Sequence, residues 1–249
     1  MKFATHIRRL MAAALLASAT MVSAQSDNAI AKANVAYTAG DFRAAIESYQ
    51  SAEKAGVVNA ALFYDLGNAF FRAGDFGLAI LNYERALALK PQHPEAAANL
   101  QAVQDKAHAL ELRPVWWESA AEHATRNQWT IAAAVGFWLA VFCFAGWTLA
   151  RKRSLPLMLG GLLALGLAAG CGAAVYGLEI GRRGRALAIV TGANIQARVA
   201  TADNASSVLA LPAGSEIKIL STRGDWIYAS LPNDSRGWIP VGSARRVRM

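Results

Sequence analysis

The chain has 249 residues, 55% of them hydrophobic and only 17% charged, with a formal net charge of +8. The apolar excess comes in blocks, which argues against one ordinary soluble core and for membrane-spanning segments. The charge is divided as well: residues 25–113 hold eight basic and ten acidic residues and residues 181–249 hold ten and four, so the positive balance belongs to the C-terminal part.

Residues 1–24 read as an export signal. Lys2, Arg8 and Arg9 form a basic start, Leu10 to Val22 an apolar run, and Val22-Ser23-Ala24 the small residues a signal peptidase recognises, with cleavage expected after Ala24. The apolar run is shorter than the ~20 residues that a spanning helix needs. No cysteine stands near the cleavage point to carry a lipid anchor.

A helical phrase is then written twice. "DFRAAIESYQ" begins at Asp41 and "DFGLAILNYE" at Asp75, each behind a glycine, Gly40 and Gly74. The thirty-four-residue period is that of a helix-turn-helix repeat, so residues 25–113 are expected to form an all-α domain. Repeats are placed at about 26–59 and 60–93, with a capping helix over 94–112. In the second copy Gly67 and Ala79 are small where two helices should cross, Gly74 ends a helix and Asp75 caps the next. Phe70 and Tyr83 fill the space between helices, and Pro91 stops the last one. These positions, with Leu66, Phe76 and Ala86, resemble the tetratricopeptide repeat. The first copy keeps Gly40, Asp41, Phe42, Ala45, Tyr49 and Ala52 but has Lys32 and Ala33 at its front, like an atypical terminal repeat. The resemblance implies a concave groove that holds a segment of a partner protein. Its positions here are Asn34, Tyr37, Tyr64, Asn68, Phe71 and Arg72. The two asparagines are either ligand contacts or merely the family's usual residue, and most of the cations of a carboxylate clamp are missing.

Residues 114–128, with Trp116 and Trp117, read as an interfacial lead-in to the membrane. Residues 129–150 and 155–178 carry no charge, and each is long enough to cross ~30 Å of hydrocarbon at 1.5 Å per residue. Residues 151–154, "RKRS", are all that separates them, so the two spans should form a tight hairpin. Export of the N-terminal part puts Arg151, Lys152 and Arg153 on the cytoplasmic side, as positive-inside bias expects; Arg182, Arg183 and Arg185, on the other side, run against that bias. Cys143 and Cys171 would lie ~10 Å and ~24 Å from the inner ends, too far apart along the axis for a disulfide. Small residues recur at four-residue spacing at Ala132, Gly136 and Ala140, and at Gly166 and Gly170. They suit close packing of the two helices on each other, or docking of another membrane protein.

From residue 186 the period changes to two. "EIKILST" and "WIYASL" flank Arg223-Gly224-Asp225, which is read as a hairpin turn, and "GWIPV" follows after Pro232 to Arg236; the pattern predicts a small antiparallel barrel over 186–249. The order of segments, with Trp226, Gly237 and Trp238, resembles a bacterial SH3-like (SH3b) domain, although Ala197 to Ser207 departs from that family's pattern. Trp226, Tyr228 and Trp238 are candidates for a stacking surface or for core. Arg182 to Arg185 and Arg245 to Arg248 either face anionic lipid head groups or are simply solvated.

His93, His108 and His123 have no metal-ligand spacing, and no phosphate loop, nucleophile elbow or supported carboxylate pair is present, so no catalytic residues, metal or cofactor are expected. The succession of signal, repeats, "PVWWESA" segment, hairpin and SH3b tail resembles the E-type member of the Bat aerotolerance family. That resemblance implies a non-enzymatic, two-pass inner-membrane scaffold with both outer domains in the periplasm. Its partners would be von Willebrand factor A-type membrane proteins and other Bat-type proteins, indirectly a MoxR-type ATPase, in envelope stress tolerance. Peptidoglycan recognition through the SH3b tail is the alternative. Nucleic acid is not expected.

Overall fold

The computed structural model describes residues 28–113, 118, 121, 123–150, 154–180 and 184–248. The expected signal segment, Trp116 and Trp117, the basic residues 151–153 of the expected loop, and Arg182 and Arg183 lie outside them.

Five helices form the N-terminal part: α1 (28–38), α2 (Phe42–Lys54), α3 (Ala60–Ala73), α4 (Phe76–Leu89) and α5 (Pro94–Ala107). The period is visible in their ends. Asp41 accepts from the Ala44 N–H and Asp75 from the Leu78 N–H, both at 3.0 Å, capping α2 and α4. Gly40 and Gly74 leave α1 and α3 at φ of +80° and +85°, a backbone region that favours glycine. One period later His108 ends α5 at φ +50°. Helix α5 is thus the first helix of a third unit, and it stops at Ala107 and not at Leu112 as expected, because the chain turns there into an extended segment. The crossing of α3 and α4 requires Gly67, where a Cβ would lie 2.8 Å from the Tyr83 ring.

Helices α6 (Arg126–Leu149) and α7 (Leu155–Ile180) pack on each other as a hairpin. Helix α6 begins inside the expected lead-in, because Thr125 and Gln128 form a capping box. The seam holds Gly136 and Ala140 on α6, and Gly136 sits where a Cβ would be 3.2 Å from the Ala164 carbonyl oxygen and the Ala168 Cβ. Gly161 fits likewise against Cys143 and Phe144. Ala132, Gly166 and Gly170 are exposed and point away from the seam. Both cysteines are free thiols.

Seven strands follow: β1 (Leu187–Val190), β2 (Ile195–Arg198), β3 (Ser207–Leu211), β4 (Glu216–Arg223), β5 (Trp226–Ser230), β6 (Arg236–Pro240) and β7 (Ala244–Arg246). Each neighbouring pair is antiparallel, and the order is β3-β2-β6-β5-β4-β1-β7. Arg223 pairs with Trp226 across a two-residue turn in which Gly224 has φ +56°, so the Arg-Gly-Asp triplet is a hairpin turn. The end strands β3 and β7 are not neighbours, so the sheet is open and not the closed barrel expected. The β1–β7 end is covered by helix instead of by β3.

That cover joins the two halves of the molecule. Leu187 and Ile189 of β1, with Val247, are buried in the same hydrophobic cluster as the α3–α4 core. Helix α4 is therefore buried on both sides, with Gly77, Ile80, Leu81, Glu84 and Leu87 inside. A Cβ on Gly77 would lie 3.2 Å from the Thr191 Cα and the Val190 carbonyl oxygen. Beyond α5, the Glu216 N–H donates to the Leu110 carbonyl at 2.8 Å, and the Glu216 carboxylate accepts from the Leu112 N–H at 3.0 Å. The sheet covers the side of α4 that the neighbouring helices leave open.

Candidate partner-binding surfaces

The groove residues expected from the sequence fall into two rows that also repeat every thirty-four residues. In the first row the Tyr49 hydroxyl donates to Asn34 Oδ1 at 2.6 Å, and the Tyr83 hydroxyl to Asn68 Oδ1 at 2.7 Å. Each asparagine therefore locks the two helices of its own unit together. Asn99 of α5 continues the row, donating its amide to Asn68 Oδ1 at 3.0 Å and to the Tyr64 hydroxyl at 3.4 Å. The asparagine carbonyl oxygens have a structural role. Tyr64 is half-buried and stacks on His93, ring centroids 5.0 Å apart.

In the second row cations lie over rings. The Arg72 guanidinium sits 4.6 Å from the Phe42 ring centre, and one period on, Lys106 Nζ sits 5.2 Å from Phe71 and 5.3 Å from Phe76. Tyr37 meets Phe42 edge-on at 5.5 Å. Thus all six residues, Asn34, Tyr37, Tyr64, Asn68, Phe71 and Arg72, lie on the first helices of the units, α1 and α3. Asn99 and Lys106 on α5 extend both rows and were missed. Their signal was available at the Lys106 position, thirty-four residues after Arg72, but Asn99 is out of register with Asn68.

Burial tunes this region. It pushes the Tyr49 phenol up to about 12, with Asp65 and Tyr37 adding to the rise, and raises Tyr83 further. Burial also raises the Asp65 carboxyl, against the opposing influence of His93.

On the sheet, Trp226, Tyr228 and Trp238 are each half-exposed, while the alternating Ile227, Ala229 and Ile239 are buried. Tyr228 and Trp238 are cross-strand partners with ring centroids 4.8 Å apart. These aromatics thus form a ledge on the face opposite the core, and Arg198 lies beside it, paired with Trp238.

A third feature had no expectation attached. Arg85 on α4 ion-pairs with Glu53 of α2 at 3.2 Å, lies 5.5 Å from the Phe63 ring centre, and donates to the Arg246 carbonyl of β7 at 3.5 Å. One side chain ties both repeats to the sheet.

The first helices of the units thus carry rows of aromatic, amide and cationic groups on a helical support. A family model for the tetratricopeptide repeat matches residues 30–94, which span α1 to the start of α5. That family is a non-catalytic protein-interaction repeat. No curated protein matches the chain. Beyond the repeats, two helices among the described residues are long and apolar enough to cross a membrane, and an antiparallel sheet follows them.

Proposed function

We propose that the protein is a scaffold anchored in a bacterial inner membrane by the α6–α7 hairpin, with the repeat groove and the sheet presented together on its periplasmic side. The observation that carries this reading is the burial of Leu187, Ile189 and Val247 against the α3–α4 core. The repeats precede both apolar helices and the sheet follows them. Segments that pack on each other lie on one side of a bilayer, so the chain between them crosses an even number of times. The exposed apolar surface of the hairpin, including Phe137, Trp138, Phe142, Leu163 and Leu167, supports lipid as its surroundings. The export-like N-terminus and the basic residues Arg151, Lys152 and Arg153 between the two helices favour the periplasm as the shared compartment.

The order of modules favours a Bat-type role in envelope and oxidative stress tolerance, with von Willebrand factor A-type membrane proteins in the groove and a MoxR-type ATPase acting indirectly. Photocrosslinkers at Tyr37 and Tyr64 in intact membranes, followed by mass spectrometry, are expected to capture such proteins. A crosslinker at Arg43, outside the two rows, is the control. Recovery of none from the groove positions, or the same proteins from all three, would count against the assignment.

The exposed aromatic ledge favours a second reading, cell-wall recognition by an SH3b-like domain through Trp226, Tyr228 and Trp238. Full-length protein in detergent is then expected to co-sediment with peptidoglycan and to lose that property on Trp238→Ala. Sedimentation unaffected by the substitution, or none at all, would discard it.

A further inference from the structure

Where the two apolar helices meet the rest of the molecule, two arginines from different parts of the chain flank one carboxylate, and a third lies within electrostatic reach of all three groups. Arg126 opens α6, Arg185 follows α7, and Arg248 follows β7. Arg185 Nη2 donates to Glu179 Oε1 at 2.7 Å, and Arg126 Nη1 stands 3.9 Å from the same oxygen. Both arginines keep most of their side-chain surface exposed, 71% and 56%. Arg248 is half-buried beside them, and its Nε is buried without a hydrogen-bond partner. Burial pushes its guanidinium down, with Arg126 and Arg185 adding to the effect and Glu179 opposing it.

Among the described residues three positive charges stand against one negative, and a buried guanidinium nitrogen that has no acceptor among them is costly to leave so. The missing component is an anion with several acceptor oxygens. The height of the cluster says where it would come from. Arg126 is the first residue of one spanning helix and Glu179 is next to the last of the other, so the cluster lies at the level of the lipid head groups.

We propose that Arg126, Arg185 and Arg248 form a binding site for the phosphate of an anionic phospholipid in the outer leaflet, with Glu179 holding the arginines together when the site is empty. Guanidinium forks suit phosphate oxygens, and each surface arginine contributes independently to anionic-lipid preference. The site fixes the C-terminal end of the sheet to the membrane surface, so lipid binding would also orient the groove. It rests on the hairpin reading above.

The test uses full-length protein in mild detergent, with phosphatidylglycerol or phosphatidylcholine added and the retained lipid counted by native mass spectrometry. Phosphatidylglycerol is expected to be held in preference. Arg185→Gln and Arg248→Gln should each weaken that preference roughly fivefold, the effect of one surface cation. Glu179→Gln, which removes the competing carboxylate, should strengthen it, whereas a purely structural Glu179 would weaken it or leave it alone. Equal retention of the two lipids, or indifference to all three substitutions, would overturn the site. So would inorganic phosphate in place of lipid giving the same arginine-dependent occupancy. Resistance of the chain to carbonate extraction is measured alongside: a chain that resists extraction but shows no preference sinks the lipid site alone, and a chain that is extracted sinks the hairpin as well.

Discussion

At the scale of single residues, the repeats depend on paired side chains that lock one helix to the next. Tyr83 is fully buried, and its hydroxyl is placed by Asn68. Tyr83→Phe should lower stability by about 1 kcal/mol in urea unfolding, and Asn68→Ala by more, since it leaves a buried hydroxyl without its acceptor. The raised phenols give a pH signature. A pKa above the ordinary value of 10 means that the folded state prefers the neutral phenol. The stability tied to Tyr49 is therefore present below pH 10 and lost as pH rises from 10 through about 12. Melting followed by circular dichroism should show that loss, and Tyr49→Phe should make it shallower. Glu216 is a buried carboxylate that accepts the Leu112 N–H. Glu216→Ala should cost about 1–3 kcal/mol by leaving that N–H unpaired, while Glu216→Gln keeps an acceptor and should cost less. Asn34 and Asn68 were legible from the repeat alone. Their tyrosine partners, fifteen residues on, became visible as partners only with the helices packed.

At the scale of elements, the two copies of the second helix differ in a way that explains the architecture. Residues thirty-four apart compare Arg43 with Gly77, Glu47 with Leu81 and Lys54 with Ala88. The first member of each pair is exposed, the second buried or half-buried. A helix polar on its outer face in one copy and apolar in the next is a helix that something covers. That signal was in the sequence, and it identifies the covered copy, though not the sheet as its cover. Gly77→Arg, the residue of the other copy, should force α4 and β1 apart and cost several kcal/mol. Protease sensitivity would rise between the repeats and the sheet, whereas Arg43→Gly should leave that junction intact. The hairpin was legible as two uncharged stretches. Its seam was not, because small residues at four-residue spacing mark where helices are able to approach and not where they do. Gly136 and Ala140 of α6 meet α7, whereas Gly166 and Gly170 of α7 do not meet α6.

At the scale of the whole molecule, the strands and turns of the tail followed from alternation and from Gly224, but closure into a barrel did not. Alternation fixes which face of a strand is apolar, not which neighbour covers a sheet's end. Here β1 and β7 take helix α4 as their neighbour, and Arg85 and Glu216 reinforce the joint. The consequence is a unit in which the groove cannot turn independently of the sheet. Both are joined to the same end of the hairpin, the repeats to the start of α6 and the sheet to the end of α7.

The central claim is that repeats and sheet are packed as one body on one face of the bilayer. Its most direct test is a pair of cysteines, Gly77→Cys and Ala213→Cys, in a chain whose Cys143 and Cys171 have been replaced by alanine. A Cβ at Gly77 would stand 3.3 Å from that of Ala213, within reach of a disulfide once the backbone relaxes slightly. In intact membranes under mild oxidation the pair should close almost completely within a single chain, giving a faster-migrating, reducible band. Two thiols that stay open to maleimide, or that are labelled from opposite faces of the membrane, would contradict the account.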